Sequence, residues 1–544
     1  MSRRTINRGA TLPADLDAIV PAQREELFPV ALSAAVIAFL SFLVCATRGW
    51  LLLYGDAVAH LGIARRILDS RWPGLAQLGG VWLPLPHLLM VPFVQKMEWW
   101  QNGTAGSWPS LACYILSVIA CNRVARYILP VRWAFVATAF FALNPNLLYL
   151  STTAMTEPLF LALLLWTVSV IFDTQAALVA NRSGRANLYI LLCGVLIFLM
   201  VFTRYDGWIF GVAVWCVMLY CVLQAKAETR HRAIVPFVLF TVICIAGPLL
   251  WFWYNAHFFG DWLDFMRGPY SAAAIEKRTS PPGSKHYRGW HNPAWALLFY
   301  TRTAQVDAAM WETGFAVMAA ALAGAWMLLK QKVSRIALLL WVPLPFYVYS
   351  IAWGSVPIFI PQLYPHSFYN SRYGMELLPA LALCAAVPLF WLEKRLRINR
   401  PKLAAWMHPI ALIFVAANLV VMIWMKPLVF REAVVNSSTR IPFERAIANQ
   451  LTRLPQGMPI LMETSDHIGA LQQAGIPLKQ VYGSGDAEAM TSPASTVGMV
   501  VAFAGDAVSK AVAAHPQGLT ETLVLCHTGQ PCARFYQSDI YKSH

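Results

Sequence analysis

The sequence predicts an α-helical multi-pass membrane protein with a small C-terminal α/β domain, and three observations predict it. Of 544 residues, 58% are hydrophobic and only 13% are charged, where a soluble domain is roughly 25% charged. Apolar runs recur between residues 29 and 425, each near the roughly 20 residues a membrane crossing needs. Short basic junctions separate them, and after residue 427 the apolar runs shrink to strand-like and helix-like pieces.

Taken in order, residues 1–28 carry Arg3, Arg4, Arg8 and Arg24 and read as a cytoplasmic tail. The first span, 29–53, is followed by no small-residue cleavage site, so it stays in the protein. Further spans are expected at 110–129, 132–150, 157–178, 187–203, 207–224, 233–254, 313–330, 335–353, 375–392 and 406–425, eleven in all. "WLPLPHLLMVPFV" (82–94) is too short to cross and holds Pro84, Pro86 and Pro92. It reads as a re-entrant segment. Basic junctions mark the cytoplasmic side at Arg123/Arg126/Arg132, Arg182/Arg185, Lys226/Arg230/Arg232, Lys330/Lys332/Arg335 and Lys394–Lys402. Eleven crossings then place loops 54–82 and 255–312 outside, together with the tail 427–544. In that tail "FERAIANQL", "PILMET", "IGALQQAG", "GMVVAFAG", "DAVSKAVAA" and "ETLVLC" alternate helix and strand patterns. This predicts an extracytoplasmic α/β domain after a membrane domain spanning 29–426.

A net charge of +15 would suggest nucleic acid in a soluble protein. Here the basic residues sit in short loops, as the positive-inside rule requires, so no nucleic-acid partner is expected; the bilayer is the partner. Eight of ten cysteines lie in apolar runs. Cys526 and Cys532, in "CHTGQPC", fall in the polar tail. An oxidising compartment would join them as a disulfide, with free thiols as the alternative.

Chemistry enters at "LLLYGDAVAHLGIARRILDS" (51–70). Asp56 breaks the apolar run. His60, Ile63, Ala64, Ile67 and Leu68 then follow helical spacing, and Arg65, Arg66 and Asp69 fall elsewhere on the wheel. That predicts an amphipathic helix lying in the interface, apolar face down, with Asp56 at its start. An N-cap is the alternative reading of Asp56, and capping and catalysis are compatible. Glu157, before Pro158 in "TAMTEPLF", opens another span on the same face. "FTRYDGWIF" places Arg204, Tyr205 and Asp206 between two apolar halves, and "FYNSRYGMELLPAL" opens a span with Arg372. An ion in a membrane segment costs about 2.5–3.5 kcal/mol on insertion scales and usually marks function. These charges gather at one side of the bilayer, whereas a transporter places its polar site nearer the midplane.

At these residues the chain resembles the C-type (GT-C) glycosyltransferases, which use polyprenyl-phosphate sugars. Among them it is similar to protein O-mannosyltransferases and lipid A aminoarabinose transferases. "DAVAHLGIARRILDS" resembles their first external loop, in which an acid pair precedes an "ARR"-like helix. "LGGVWLPLPHLLM" resembles the proline-containing segment that follows, and "TEP" (156–158), "TRYDG" (203–207) and "SRYGMELLPAL" resemble later elements. The likeness covers roughly 30–390. Two positions depart from it: Ala57 replaces the second acid, and no Glu-Lys precedes the proline near Leu83–Pro86.

The resemblance implies a sugar hung from a lipid phosphate at the outer face and an acceptor hydroxyl that attacks the anomeric carbon. Asp56 would take its proton, with inversion. Arg204, Arg372 and Arg65 would bind the donor phosphate and stabilise its growing charge. Glu157 and His60 would orient the acceptor or the basic groups. Tyr205 and Asp206, with Arg267, Lys285 and Arg288 of the 255–312 loop, would form a substrate cover. No cofactor is assigned; a divalent cation held by Asp56 and Glu157 is left open. The acceptor is a glycan, a protein or a lipid. With no retrieval signal at the C-terminus, a bacterial inner membrane is expected, the N-terminus cytoplasmic. The rival readings are a transporter or flippase for a lipid-linked or anionic solute, and an assembly protein whose tail binds a partner.

Overall fold

The computed structural model describes residues 24–280 and 285–540. Residues 1–23 of the expected cytoplasmic tail, with Arg3, Arg4 and Arg8, lie outside the described residues. Among the described residues, nine helices are long and apolar enough to cross a membrane: Glu25–Thr47, Thr104–Ile128, Glu157–Val179, Ser183–Val201, Asp206–Gln224, Ala227–Phe259, Ser334–Trp353, Ser371–Asn399 and Pro401–Leu451. Pro293–Ala308 and Thr313–Leu329 make a tenth span only as a pair bent by 108°.

Two expectations change in detail. The span expected at 132–150 is two shorter helices, Val131–Ala142 and Pro145–Leu150. Asn144 ends one and caps the other, accepting hydrogen bonds from the Asn146 and Leu147 amides, and Pro145 takes the first helical position. Together they retrace the Thr104–Ile128 helix: Tyr114 donates to the Ala142 carbonyl and Ser107 to the Thr152 carbonyl. The loop expected at 255–312 contains the helices Ala272–Thr279 and Pro293–Ala308. Within residues 82–94 lies a short apolar helix, Leu85–Val94, too short to cross a membrane.

The first span stops at Thr47 because Gly49 takes a left-handed φ of 69° and the Trp50 amide reaches back to the Cys45 carbonyl. The chain then runs under Arg440, which donates to the Leu52 and Leu53 carbonyls, and enters the helix Gly55–Arg66. That helix does not lie open on the bilayer surface. Eight of its twelve residues are buried, Arg65 included. It is packed between the Leu85–Val94 helix and the C-terminal unit, where a Cβ on Gly62 would sit 2.4 Å from Ile468. The wheel pattern reports burial, and the second covering layer comes from residues about 400 positions away, which periodicity alone cannot reveal.

The C-terminal unit follows the helix Leu428–Leu451. Its five strands are β1 (Ile460–Met462), β2 (Val481–Tyr482), β3 (Met499–Phe503), β4 (Leu519–Leu525) and β5 (Ala533–Ser538), in the order β2-β1-β3-β5-β4. β1, β2 and β3 are parallel, with Ile460 beside Val481 and Met499; β5 runs antiparallel to β3 and β4. Cys526 and Cys532 are joined by a disulfide at the β4–β5 turn. Arg71, in the loop after the Gly55–Arg66 helix, ties that loop to the unit, pairing with Asp486 and stacking 3.6 Å from the Tyr482 ring centroid.

Candidate active site

Asp56 stands in the first turn of the Gly55–Arg66 helix, but Tyr54 holds the N-cap position and makes no side-chain cap. The Asp56 carboxylate is therefore not used as a helix cap. It meets Arg372 at 2.5 Å (Oδ2 to Nη2). Arg372 also places Nε 3.0 Å from Glu157 Oε1 and Nη1 3.8 Å from Glu432 Oε1. Its turn, Ser371–Leu377, is held by Glu432, which accepts from the Ser371 amide at 2.8 Å and from the Ser371 hydroxyl.

Arg204 sits in the break between two spans. It ion-pairs with Asp206 (3.1 Å), Glu376 (2.9 Å) and Glu157 (3.4 Å). It also donates to Thr156 Oγ1 (2.9 Å) and the Tyr347 hydroxyl (2.7 Å). Burial alone would favour the neutral form, but the nearby Glu376, Tyr347, Asp206 and Glu157 outweigh it and hold the guanidinium well above its ordinary value. Tyr347 can donate one proton, to Glu376 or to Asp206, which lie 2.7 and 3.1 Å away. Tyr373 lies under both guanidiniums, at 4.8 Å from Arg204 and 4.9 Å from Arg372.

Glu157 accepts from both arginines and so joins two groups into one network of five carboxylates and two guanidiniums. Exposure within it is uneven. The Asp56 side chain is 39% exposed, Arg204 14%, Arg372 8% and Glu157 0%. The Oε2 atoms of Glu157 and Glu376 are buried without a hydrogen-bond partner. Among charged members of this network Asp56 is the one open to a ligand.

His60 lies beside the network. Its Nδ1 is 2.8 Å from His87 Nε2 and its ring stacks 4.3 Å from Trp82. Burial, reinforced by Arg372 and Arg204, lowers its pKa to about 3, so it is neutral at physiological pH.

Asp56, Glu157, Arg204, Asp206 and Arg372 thus come together from segments far apart in sequence. Other expected site residues do not join them. Arg65 is consumed by structure: it pairs with Asp69 (2.7 Å), donates to the Val94 and Gln95 carbonyls and lies over Trp100. Tyr205 donates to the Val81 carbonyl (2.6 Å) and stacks on Phe265, pinning the two segments that carry them. Arg267 pairs loosely with Asp261, Arg288 stacks on Trp295 and Tyr364, and Lys285 is exposed. None of these three makes an ion pair or hydrogen bond with the network. Between Asp56 and Glu157, proposed as joint ligands of a cation, stands the Arg372 guanidinium. Among the described residues no group of three or more His, Cys, Asp or Glu is arranged to hold a metal ion. Sequence reasoning missed Glu376, Glu432 and Tyr347. Glu376 carried a signal, an acid four residues after Arg372 inside an apolar run.

The membrane helices and the appended sheet share their fold with membrane proteins of known structure. The chain superposes on ArnT, the lipid A aminoarabinose transferase of Cupriavidus metallidurans, bound to undecaprenyl phosphate. The TM-score is 0.53 at 13% identity, covering 91% of this chain and 97% of that one. The apo state of the same enzyme gives 0.52, also at 13% identity and with the same coverage. The oligosaccharyltransferase of Archaeoglobus fulgidus gives 0.47 at 12% identity, covering 88% and 70%. No family model and no curated protein matches the sequence. At such identity the likeness is one of fold.

Proposed function

We propose that the protein is an inverting glycosyltransferase that moves a sugar from a polyprenyl-phosphate donor to an acceptor hydroxyl. One observation carries this reading: Asp56 is the exposed acid of an otherwise buried acid–arginine network. A general base must be open to its substrate and fixed in direction, and the contact with Arg372 fixes it. The acceptor hydroxyl gives its proton to Asp56 as its oxygen bonds to the anomeric carbon. The bond from that carbon to the donor phosphate breaks, and its electron pair leaves with the phosphate. Arg372, and Arg204 behind it, supply positive charge to that leaving group. Neutral His60, buried against His87 and Trp82, positions the helix that carries Asp56.

The donor class is supported by the fold shared with an enzyme whose structure holds undecaprenyl phosphate. We assign the membrane domain to 29–426 and the extracytoplasmic domain to 427–544, in a bacterial inner membrane. The basic junctions between the spans, which the positive-inside rule assigns to the cytoplasm, support that orientation.

The test uses membranes containing the full chain and a labelled polyprenyl-phosphate sugar. Label should move to a water-soluble or protein-bound product, with one polyprenyl phosphate released per sugar. Movement of intact donor across the bilayer without cleavage would sink the enzyme and favour a flippase.

A further inference from the structure

Two adjacent arginines end the Gly55–Arg66 helix and meet opposite fates. Arg65 has its carboxylate, its carbonyls and its ring. Arg66 has no hydrogen bond or ion pair with any described residue, and its Nε is shut off from solvent without an acceptor. A buried charged donor left unmade costs about 1–3 kcal/mol or more. Burial accordingly pulls the Arg66 guanidinium below its ordinary value.

Two polar groups from separate elements lie near it. Tyr270 stands between the helices Asp264–Arg267 and Ala272–Thr279 and is 52% exposed, and Glu463 follows β1. Glu463 is not its ion-pair partner; Glu463 Oε1 instead accepts from the Thr464 and Ser465 amides. That loop lies at the carboxyl ends of the parallel strands β2-β1-β3, the edge where open α/β sheets receive ligands.

We propose that Arg66 is an anion-recognition site, separate from the Asp56 centre, that takes a phosphate-type group carried by the acceptor. Distance excludes the leaving phosphate of the donor. Ten residues of one helix separate Asp56 from Arg66, a rise of about 15 Å, while the leaving phosphate must lie beside the anomeric carbon. The Glu463 carboxylate and the Tyr270 hydroxyl offer an acceptor and a donor to sugar hydroxyls, so the ligand is an anionic glycan lying between the membrane unit and the C-terminal sheet. The identity of the ligand as acceptor rests on the glycosyltransferase reading; the anion site does not.

The test uses the full chain in phosphatidylcholine nanodiscs, with inorganic phosphate and glucose 6-phosphate as probes and the thermal-unfolding midpoint as readout. Both should raise the midpoint of wild type. Arg66→Gln should weaken the half-saturating concentration about tenfold, the loss of one charged hydrogen-bonding partner. Arg66→Lys should recover most of it, and Asp56→Asn should leave it unchanged. A half-saturating concentration unchanged in Arg66→Gln, or no response in wild type, overturns the site. If discs containing phosphatidylglycerol abolish the phosphate response, a bilayer headgroup is the occupant and the acceptor assignment falls. Donor cleavage is scored in the same discs. Phosphate binding through Arg66 without sugar transfer would uphold the site and refute the enzyme alone.

Discussion

Arg372 and Asp56 lie 316 residues apart in sequence and 2.5 Å apart in space. The same guanidinium serves Glu157 and, more distantly, Glu432, both buried. Removing it strands two buried carboxylates, and breaking a buried pair typically costs 3–5 kcal/mol. Arg372→Ala should therefore lose roughly that much stability. Arg372→Lys keeps the charge but has no fork with which to reach three acids. It should retain more stability than Arg372→Ala and still lose most transfer. Thermal unfolding and a transfer assay on both variants check this; wild-type transfer in Arg372→Lys would show that the fork geometry at Arg372 is unimportant.

Asp56→Asn tests the base itself. The side chain keeps its shape and stays half-exposed, so folding should change by less than about 1 kcal/mol. Loss of a positioned general base removes about 10²–10⁴ in rate. Sugar transfer should fall by that factor while donor binding persists. A variant with transfer within a few-fold of wild type would take Asp56 out of the chemistry.

Much of this was legible beforehand. Long apolar runs located the spans, since a helix in hydrocarbon must satisfy its own backbone and cover it with apolar side chains. Asp56, Glu157, Arg204 and Arg372 stood out because a charge at the edge of such a run is costly. Arg65, not Arg66, was expected in the site, and the two differ only in what surrounds them: Asp69 and Trp100 lie near one, Tyr270 and Glu463 near the other. Glu432 escaped notice because it lies past the last expected span, in a helix whose composition looks soluble, yet its carboxylate is buried against Ser371. Strand β5 escaped as well, since "ARFYQS" carries polar residues and gains its burial from pairing with β3.

Close helix packing behind the site gives a third prediction. A Cβ on Gly324 would lie 1.9 Å from the Cys384 carbonyl oxygen. Glycine there lets the Thr313–Leu329 helix touch the helix that carries Arg372 at its entrance. Small residues of this kind set interhelical distance in membranes. Gly324→Ala gains a little helix propensity, up to about 1 kcal/mol. The backbone contact cannot yield without parting the helices, an overpacking cost of about 1–3 kcal/mol. The net should be a lower unfolding midpoint and slower transfer with donor affinity less affected. An unchanged midpoint would mean that the two helices part at no cost to admit the methyl group.

His60 gives the pH dependence. Its folded pKa is about 3, against an ordinary value of about 6.5. The unfolded chain binds the extra proton between those values, so this group's contribution is complete above about pH 6.5 and shrinks as pH falls toward 3. At pH 5 the loss is about 2 kcal/mol relative to neutral pH. Replacing His60 with glutamine removes the titration and keeps a side chain that can bond His87. His60→Gln should be less stable than wild type at pH 7.5, yet lose about 2 kcal/mol less on going to pH 5. Because His60 stays neutral from pH 5 to 8, the wild-type rate profile should show no step from it there. Unfolding midpoints at the two pH values decide the matter: identical acid sensitivity in both proteins would show that His60 is already charged in the folded state or is not buried.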